Sequence, residues 1–203
     1  MRRVQGAHWS LRAATAAAAA ALLTCTAACD STDAGAGGEG TGESRSASPA
    51  PSHARFVADI PWSDGGRVGM YYADGRGLME QHRATAGGPW SKPRLVYATE
   101  GDACQSITLK AFGDTVTAIA DWGVYCADGE PPTESVAAVG TRSLATWDTK
   151  PTADFDGWEK AATVPGTEDL LFTRSSTEWL TRLRWSPTGG FGEVEHIRRG
   201  DPS

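Results

Sequence analysis

The chain has 203 residues and a formal net charge of −6, with 25 acidic and 19 basic side chains. An acidic chain is a poor partner for nucleic acid and for anionic membrane surfaces, because both are bound through clustered positive charge. The length suits one domain with a real core behind an amino-terminal extension.

The amino terminus has the parts of an export signal. Residues 1–12 contain three arginines and no acid, and residues 13–28 are alanine, leucine and threonine with one cysteine. This apolar stretch is shorter than the ~20 residues that a transmembrane helix needs. The pattern predicts a signal peptide over 1–28, exported by either the Sec or the twin-arginine route.

Thr26, Ala27, Ala28 and Cys29 close this segment. Small residues before a cysteine resemble the lipobox of bacterial lipoproteins, in which the cysteine is diacylated and becomes the new amino terminus. The resemblance implies that Cys29 is lipidated, that Cys25 leaves with the signal peptide, and that the protein is held on the outer face of the cytoplasmic membrane. Two acyl chains satisfy the two-signal condition for stable membrane attachment. Ordinary cleavage near Ala28, giving a soluble secreted protein, is the alternative.

Residues 29–53 are predicted to form a tether between the anchor and a folded domain. After Cys29 the segment is almost entirely Gly, Ser, Thr, Ala, Pro, Asp and Glu, with no large apolar residue. Such a segment buries too little surface to offset its ordering entropy, so we expect it to be disordered. The folded domain is expected over 54–200.

This domain has the sequence pattern of an all-β fold. Short runs of β-forming residues alternate with turn clusters of Gly, Asp and Pro, and no window keeps a helical period. The predicted strands cover 67–72, 78–83, 94–97, 107–112, 115–121, 135–139, 143–147, 161–164, 170–174, 180–185 and 194–197. Many short strands at this spacing favour antiparallel propeller-like blades or, as the alternative, a β-sandwich.

Three segments share a glycine, then an aromatic residue, a polar step and a strand. They are GGPWSKPRLVYA (87–98), DGWEKAATV (156–164) and GGFGEVEHI (189–197), each after a pair of predicted strands. The pattern resembles the turn and last strand of sialidase-type β-propeller blades. The resemblance implies a partial or open stack of about three blades, fewer than the four to eight of a closed ring. A ring completed by two or more chains would make the protein a homo-oligomer.

Cys104 and Cys126 flank a predicted hairpin. In SITLKAFGDTVTAIAD (106–121), Gly113 and Asp114 form a two-residue turn, and the resulting register gives the hairpin one wholly apolar face. The two cysteines then lie just beyond its open end, and export places them in an oxidising compartment. The sequence therefore predicts a Cys104–Cys126 disulfide.

Candidate chemistry is sparse. A glycosidase needs two carboxylates flanking the scissile bond; Tyr71, Tyr72 and Glu80 share one predicted hairpin, but solvated surface charge explains such residues better. DTKPTADFDGWE (148–159) lacks the acids that an EF-hand calcium loop requires, which leaves only a looser oxygen-rich calcium site as an alternative. No Gly-x-Ser-x-Gly elbow occurs. We predict no catalytic residue and, apart from that calcium alternative, no metal or other cofactor.

DWGVYCADGEPPTE (121–134) is the predicted recognition segment. It combines two aromatic residues, one predicted disulfide cysteine and two prolines, and such loops carry recognition when a rigid scaffold positions them. The candidate binding residues are Trp122, Tyr125, Asp128 and Glu130. A stapled connection without a binding role is the alternative.

These patterns together favour non-catalytic binding or assembly at the outer face of the cytoplasmic membrane. The expected partner, besides the membrane that holds the anchor, is an extracytoplasmic protein or a cell-wall glycan. Two other functions stay open: a carbohydrate-active enzyme on a degenerate propeller, and a subunit that completes a propeller by oligomerising.

Overall fold

A computed structural model describes residues 55–63 and 65–200 of the chain. The predicted signal peptide, the predicted lipidation site Cys29 and the predicted tether lie outside the described residues. The all-β prediction is confirmed for the described part, which forms twelve strands, no α-helix and a single 3₁₀ turn at Cys126–Asp128.

The strands form three antiparallel four-stranded sheets, each built from strands that follow one another in the chain. The first sheet contains β1 (Ala58–Trp62), β2 (Gly66–Ala73), β3 (Gly77–Arg83) and β4 (Arg94–Tyr97). The second contains β5 (Ala103–Phe112), β6 (Thr115–Trp122), β7 (Glu134–Thr141) and β8 (Thr146–Ala153). The third contains β9 (Lys160–Thr163), β10 (Leu170–Ser175), β11 (Trp179–Ser186) and β12 (Gly190–Arg198).

The second sheet lies between the other two and is covered on both faces. In β6, Ala118 packs with Met70 of the first sheet, whereas the next residue, Ile119, packs with Phe172 of the third. The neighbouring strand β7 divides its side chains in the same way. Because successive strand residues point to opposite faces, a strand covered on both faces reads as a continuous apolar run. VAAV in β7 is such a run, and VTAIA in β6 is one apart from the buried Thr117.

The predicted hairpin of the second sheet is confirmed residue by residue. Phe112 pairs with Thr115 across the two-residue turn, and Leu109 pairs with Ala118. Gly113 has a φ of 60°, which the left-handed hairpin turn requires and which glycine adopts without steric cost. The apolar face of this hairpin packs against the first sheet.

Two strand predictions need correction. Strand β1 is additional to the predicted strands; it contains Pro61 and is an edge strand, where a missing N–H is tolerated. The predicted strand 143–147 is displaced, since β8 begins only at Thr146. Residues 142–144 instead form a turn in which three successive non-glycine residues have φ values of 51°, 55° and 61°.

The predicted three-segment repeat does not occupy equivalent places in the sheets. The segments 87–98 and 189–197 supply the last strands of the first and third sheets, β4 and β12. The segment 156–164 supplies β9, the first strand of the third sheet. A glycine followed by an aromatic residue therefore marks the entry to an edge strand, whichever edge of a sheet that strand forms.

The packing between the second and third sheets predicts a large difference between two Leu→Ala substitutions. Leu183 is fully buried in that interface, whereas Leu95 is 45% exposed on the first sheet. Leu183→Ala should lower the free energy of unfolding by about 2–5 kcal/mol, because it leaves a cavity, and Leu95→Ala by less than about 1 kcal/mol. Urea unfolding of both variants measures the difference; equal losses would contradict the assigned interface.

Candidate functional site

Residues 123–133, here called the stapled loop, connect β6 to β7 and carry most of the predicted recognition segment. Cys126 in this loop and Cys104 in β5 form a disulfide, with their Cα atoms 5.6 Å apart. The structure is thus compatible with the predicted pairing. The bond ties the loop to the neighbouring strand of the same sheet.

Backbone hydrogen bonds hold the stapled loop at both ends and across its middle. Gly123 N donates to Asp102 O (2.8 Å), and Thr133 N donates to Trp122 O (2.9 Å). Within the loop, the amides of Asp128 and Glu130 both donate to Tyr125 O, at 3.0 and 3.3 Å. A loop held in this way presents its side chains in fixed positions, so a partner would pay little ordering entropy to bind it.

Two large apolar side chains of the stapled loop face solvent. Val124 and Tyr125 are each 64% exposed, and with Asp128, Glu130 and other loop residues they line a cavity of about 540 Å³. Three of the four predicted binding residues, Tyr125, Asp128 and Glu130, therefore lie together on the surface. Exposed aromatic side chains on a rigid support are typical anchors of protein interfaces.

The fourth predicted binding residue, Trp122, is a core residue. It is 2% exposed, and its ring contacts those of Tyr72 and Tyr97 with centroids 5.4 Å apart in each pair. The register of β6 explains this burial, because Trp122 points to the same face as Ala118 and Ala120, the face that packs against the first sheet. Trp122 therefore reaches the surface only where it lines a cavity next to the loop, and most of its ring packs in the core.

The surface around the stapled loop is acidic. A second cavity, of about 270 Å³, adjoins the first through Val124 and is lined by Glu100, Asp102 and Glu134. Among the described residues, no basic side chain lines either cavity. Tyr97 donates a hydrogen bond of 2.9 Å to Glu134, and burial together with this carboxylate raises the pKa of Tyr97 to about 12.

A larger cavity, here called the inter-sheet cleft, opens between the second and third sheets near the opposite ends of β6 and β7. Its volume is about 900 Å³. It is formed by the turns β5–β6 and β7–β8 of the second sheet and β9–β10 and β11–β12 of the third. The polar lining includes Arg142, Asp148, Glu168 and the threonines at positions 115, 141, 146, 163 and 188, and the apolar lining includes Phe112, Leu170 and Trp185.

The strained turn 142–144 reaches this cleft through Arg142. A left-handed conformation costs a non-glycine residue about 1–2 kcal/mol, and here three such residues are adjacent. Leu144 anchors the turn, because its side chain is fully buried on the first-sheet side and its carbonyl accepts a 2.6 Å hydrogen bond from Arg94 Nη1. Arg142, at the other end of the turn, lines the cleft. Strain that the surrounding structure imposes in this way is concentrated at functional sites.

Asp148 and Trp185 join the two walls of the cleft. The indole Nε1 of Trp185 in β11 donates a 2.8 Å hydrogen bond to Asp148 Oδ2 in β8. Trp185 is 3% exposed, so this bond satisfies the one polar group of a buried ring. No sequence pattern pointed to this site, since its lining comes from four turns that are far apart in the chain.

The glycosidase residues weighed from the sequence do not form one open site. Tyr71 lies on the face of β2 opposite to Tyr72, and the Tyr72 hydroxyl donates to Ser106 O at 2.8 Å. Glu80 is fully buried, with its Oε1 2.7 Å from Nδ1 of His82. Burial raises the pKa of Glu80, against the opposing effects of His82 and Arg94.

The predicted alternative of a calcium loop lies at the β8–β9 connection. Asp154 and Asp156 line a cavity of about 310 Å³ there with Arg174, whose Nη2 is 4.0 Å from Asp156 Oδ2. Within residues 55–63 and 65–200, no group of three or more His, Cys, Asp or Glu side chains is arranged to hold a metal ion. The same part of the chain has no helix with the length and apolarity that crossing a bilayer requires.

Comparison with known proteins gives no relative for this chain. No protein-family model matches it, and neither the curated proteins nor the solved structures include a significant match.

The buried carboxyl of Glu80 predicts a pH-dependent stability. Its raised pKa means that the native state holds the proton more tightly than the unfolded chain does. The stability that comes from this tighter proton binding is complete at pH values below the pKa of the unfolded chain, and it is lost as pH rises through the native pKa. Glu80→Gln, which stays neutral, should therefore raise the free energy of unfolding above that of the native chain at about pH 7, and the gain should vanish near pH 4.

Urea unfolding at a series of pH values measures this difference. Glu193→Gln is the matched control, because it makes the same substitution at a side chain that is 96% exposed and so removes no buried charge. A Glu80→Gln variant that is less stable than the native chain at neutral pH would contradict the assigned cost of burying the charge.

Proposed function

We propose that the chain is a non-catalytic binding or assembly module, held by a diacylated Cys29 at the outer face of the cytoplasmic membrane. The basic and apolar leader and the lipobox-like residues before Cys29 support the anchor. A disulfide between Cys104 and Cys126 fits this location, because disulfides persist in oxidising compartments.

The main support for the binding function is the geometry of the stapled loop. It exposes Val124 and Tyr125 while the disulfide and several backbone hydrogen bonds fix their positions. Exposing an apolar pair on a rigid loop contributes nothing to the stability of the free domain. A partner that covers both side chains would gain their burial without having to order the loop.

The partner that fits this surface is an extracytoplasmic protein with an apolar pocket and a basic rim. The two adjoining cavities at the loop are lined by the carboxylates of Glu100, Asp102, Asp128, Glu130 and Glu134. A basic rim would complement them, steer association and exclude acidic competitors. An apolar pocket would take the ring of Tyr125.

We infer that the three sheets are blades of an open, propeller-like stack. Their first strands lie side by side, β1 beside β5 and β5 beside β9, and so do their last strands, β4 and β12 each beside β8. The outer face of the third sheet carries ion pairs of Arg182 with Glu195 and of Arg184 with Asp169. Such a polar face disfavours the packing of a further blade, so this observation supports an open stack over a ring completed by oligomerisation.

A carbohydrate-active enzyme is the second candidate, because Asp148 and Glu168 line the same cleft. Asp148 is already engaged by the indole of Trp185, which favours a positioning role over acid–base catalysis. Hydrolysis of an oligosaccharide by the native chain, with loss of turnover in Glu168→Gln, would favour the enzyme.

The anchor predicts where the protein is found after cell fractionation. The native chain should be in the membrane fraction, starting at Cys29 and heavier by a diacylglyceryl group, whereas Cys29→Ala should be released into the medium. Intact mass and fractionation measure both properties, and Cys25→Ala is the matched control, which should stay membrane-bound. An unmodified native chain free in the medium would contradict the anchor.

The stapled loop predicts a site-specific contact with a partner in the native cell. The photoreactive residue p-benzoylphenylalanine at position 125 should give one defined protein adduct, and Val124→Asp should abolish it by placing a charge in the apolar contact. Raised salt should weaken the adduct, because the rim contacts are exposed charges. The same photoreactive residue at Glu193, an exposed position on β12, is the control; equal adducts at both positions, or none at 125, would contradict the proposal.

A further inference from the structure

The inter-sheet cleft has a chemical character different from that of the stapled loop. Its charged lining is one guanidinium, Arg142, and two carboxylates, Asp148 and Glu168. A net negative lining disfavours phosphate and other anions as ligands. Five threonine hydroxyls line the same cleft, and each hydroxyl both donates and accepts hydrogen bonds.

This lining matches a neutral ligand that carries many hydroxyl groups. Carboxylates accept hydrogen bonds, a guanidinium donates several in a fixed fork, and threonine hydroxyls do both, as the hydroxyls of a sugar also do. Phe112 provides a half-buried apolar surface for the C–H face of a ring, and the almost fully buried Leu170 and Trp185 lie behind it. A volume of about 900 Å³ suits several sugar units rather than one.

The strained turn explains how Arg142 is placed at this cleft. Two anchors, the buried side chain of Leu144 and the hydrogen bond from Arg94 to its carbonyl, hold the turn in a left-handed conformation. Glycine would adopt this conformation without strain, yet positions 142–144 carry Arg, Ser and Leu. The fold thus keeps a strained turn whose first residue, Arg142, places its guanidinium at the cleft wall.

We propose that the inter-sheet cleft binds a neutral oligosaccharide, with Arg142 as a specificity-determining donor and Asp148 and Glu168 as acceptors. Asp148 is also a positioning residue, since it holds the Trp185 indole that forms part of the wall. This site is independent of the stapled loop, so its failure would leave the proposed docking function standing.

The test compares two glycine substitutions in the same turn. Arg142→Gly removes the guanidinium and relieves strain, whereas Ser143→Gly relieves strain at a residue that does not line the cleft. Both variants should melt at a higher temperature than the native chain, because glycine tolerates a positive φ. Only Arg142→Gly should weaken saccharide binding, by about tenfold or more. A merely structural role for Arg142 does not predict higher stability together with weaker binding.

The probes are neutral tetrasaccharides of glucose, mannose and N-acetylglucosamine, and inorganic phosphate, titrated into the full chain by calorimetry and by NMR of the Trp185 indole signal. We expect at least one tetrasaccharide to bind, phosphate not to compete, and Ser143→Gly to bind within about twofold of the native chain. Hydrolysis of a bound tetrasaccharide would also support a saccharide site, while favouring the enzyme. No binding at up to about 10 mM, binding of phosphate alone, or unchanged affinity in Arg142→Gly would overturn the proposal.

Discussion

The burial of the second sheet on both faces is the constraint on which the rest of the structure depends. Every residue from Val116 to Ala120 is buried, with alternate side chains packing towards the first and the third sheet. Strands β6 and β7 are therefore fixed in register and position by two cores at once. The two candidate sites lie at opposite ends of this pair of strands, the stapled loop at one and the turn 142–144 at the other.

A rigid centre allows the ends of the sheet to carry features that cost stability. The exposed Val124 and Tyr125 are held by the Cys104–Cys126 disulfide and by backbone hydrogen bonds rather than by burial. The free-energy cost of the left-handed turn 142–144 is offset by the burial of the Leu144 side chain. Both features lie next to strands that are buried on both faces, which is how fixed scaffolds support functional loops.

The sequence predicted the features that depend on residues close together in the chain. The Gly113-Asp114 turn set the hairpin register correctly, and that register brought Cys104 and Cys126 close together. The burial of Trp122 could not be predicted, because its environment depends on the first sheet, which is distant in the chain. The inter-sheet cleft was missed because its walls come from four separate turns, and no glycine marks the left-handed conformation at 142–144.

Hydrogen exchange of the full chain, before and after reduction of the disulfide, tests the central claim that a doubly buried sheet holds two independent sites. We expect the slowest exchange in β6 and β7, through global unfolding alone. Reduction should speed exchange in the stapled loop and leave the amides of the 142–145 turn unchanged. Exchange in β6 and β7 as fast as in the edge strands β4 and β9, or a loop that is unprotected before reduction, would contradict the claim.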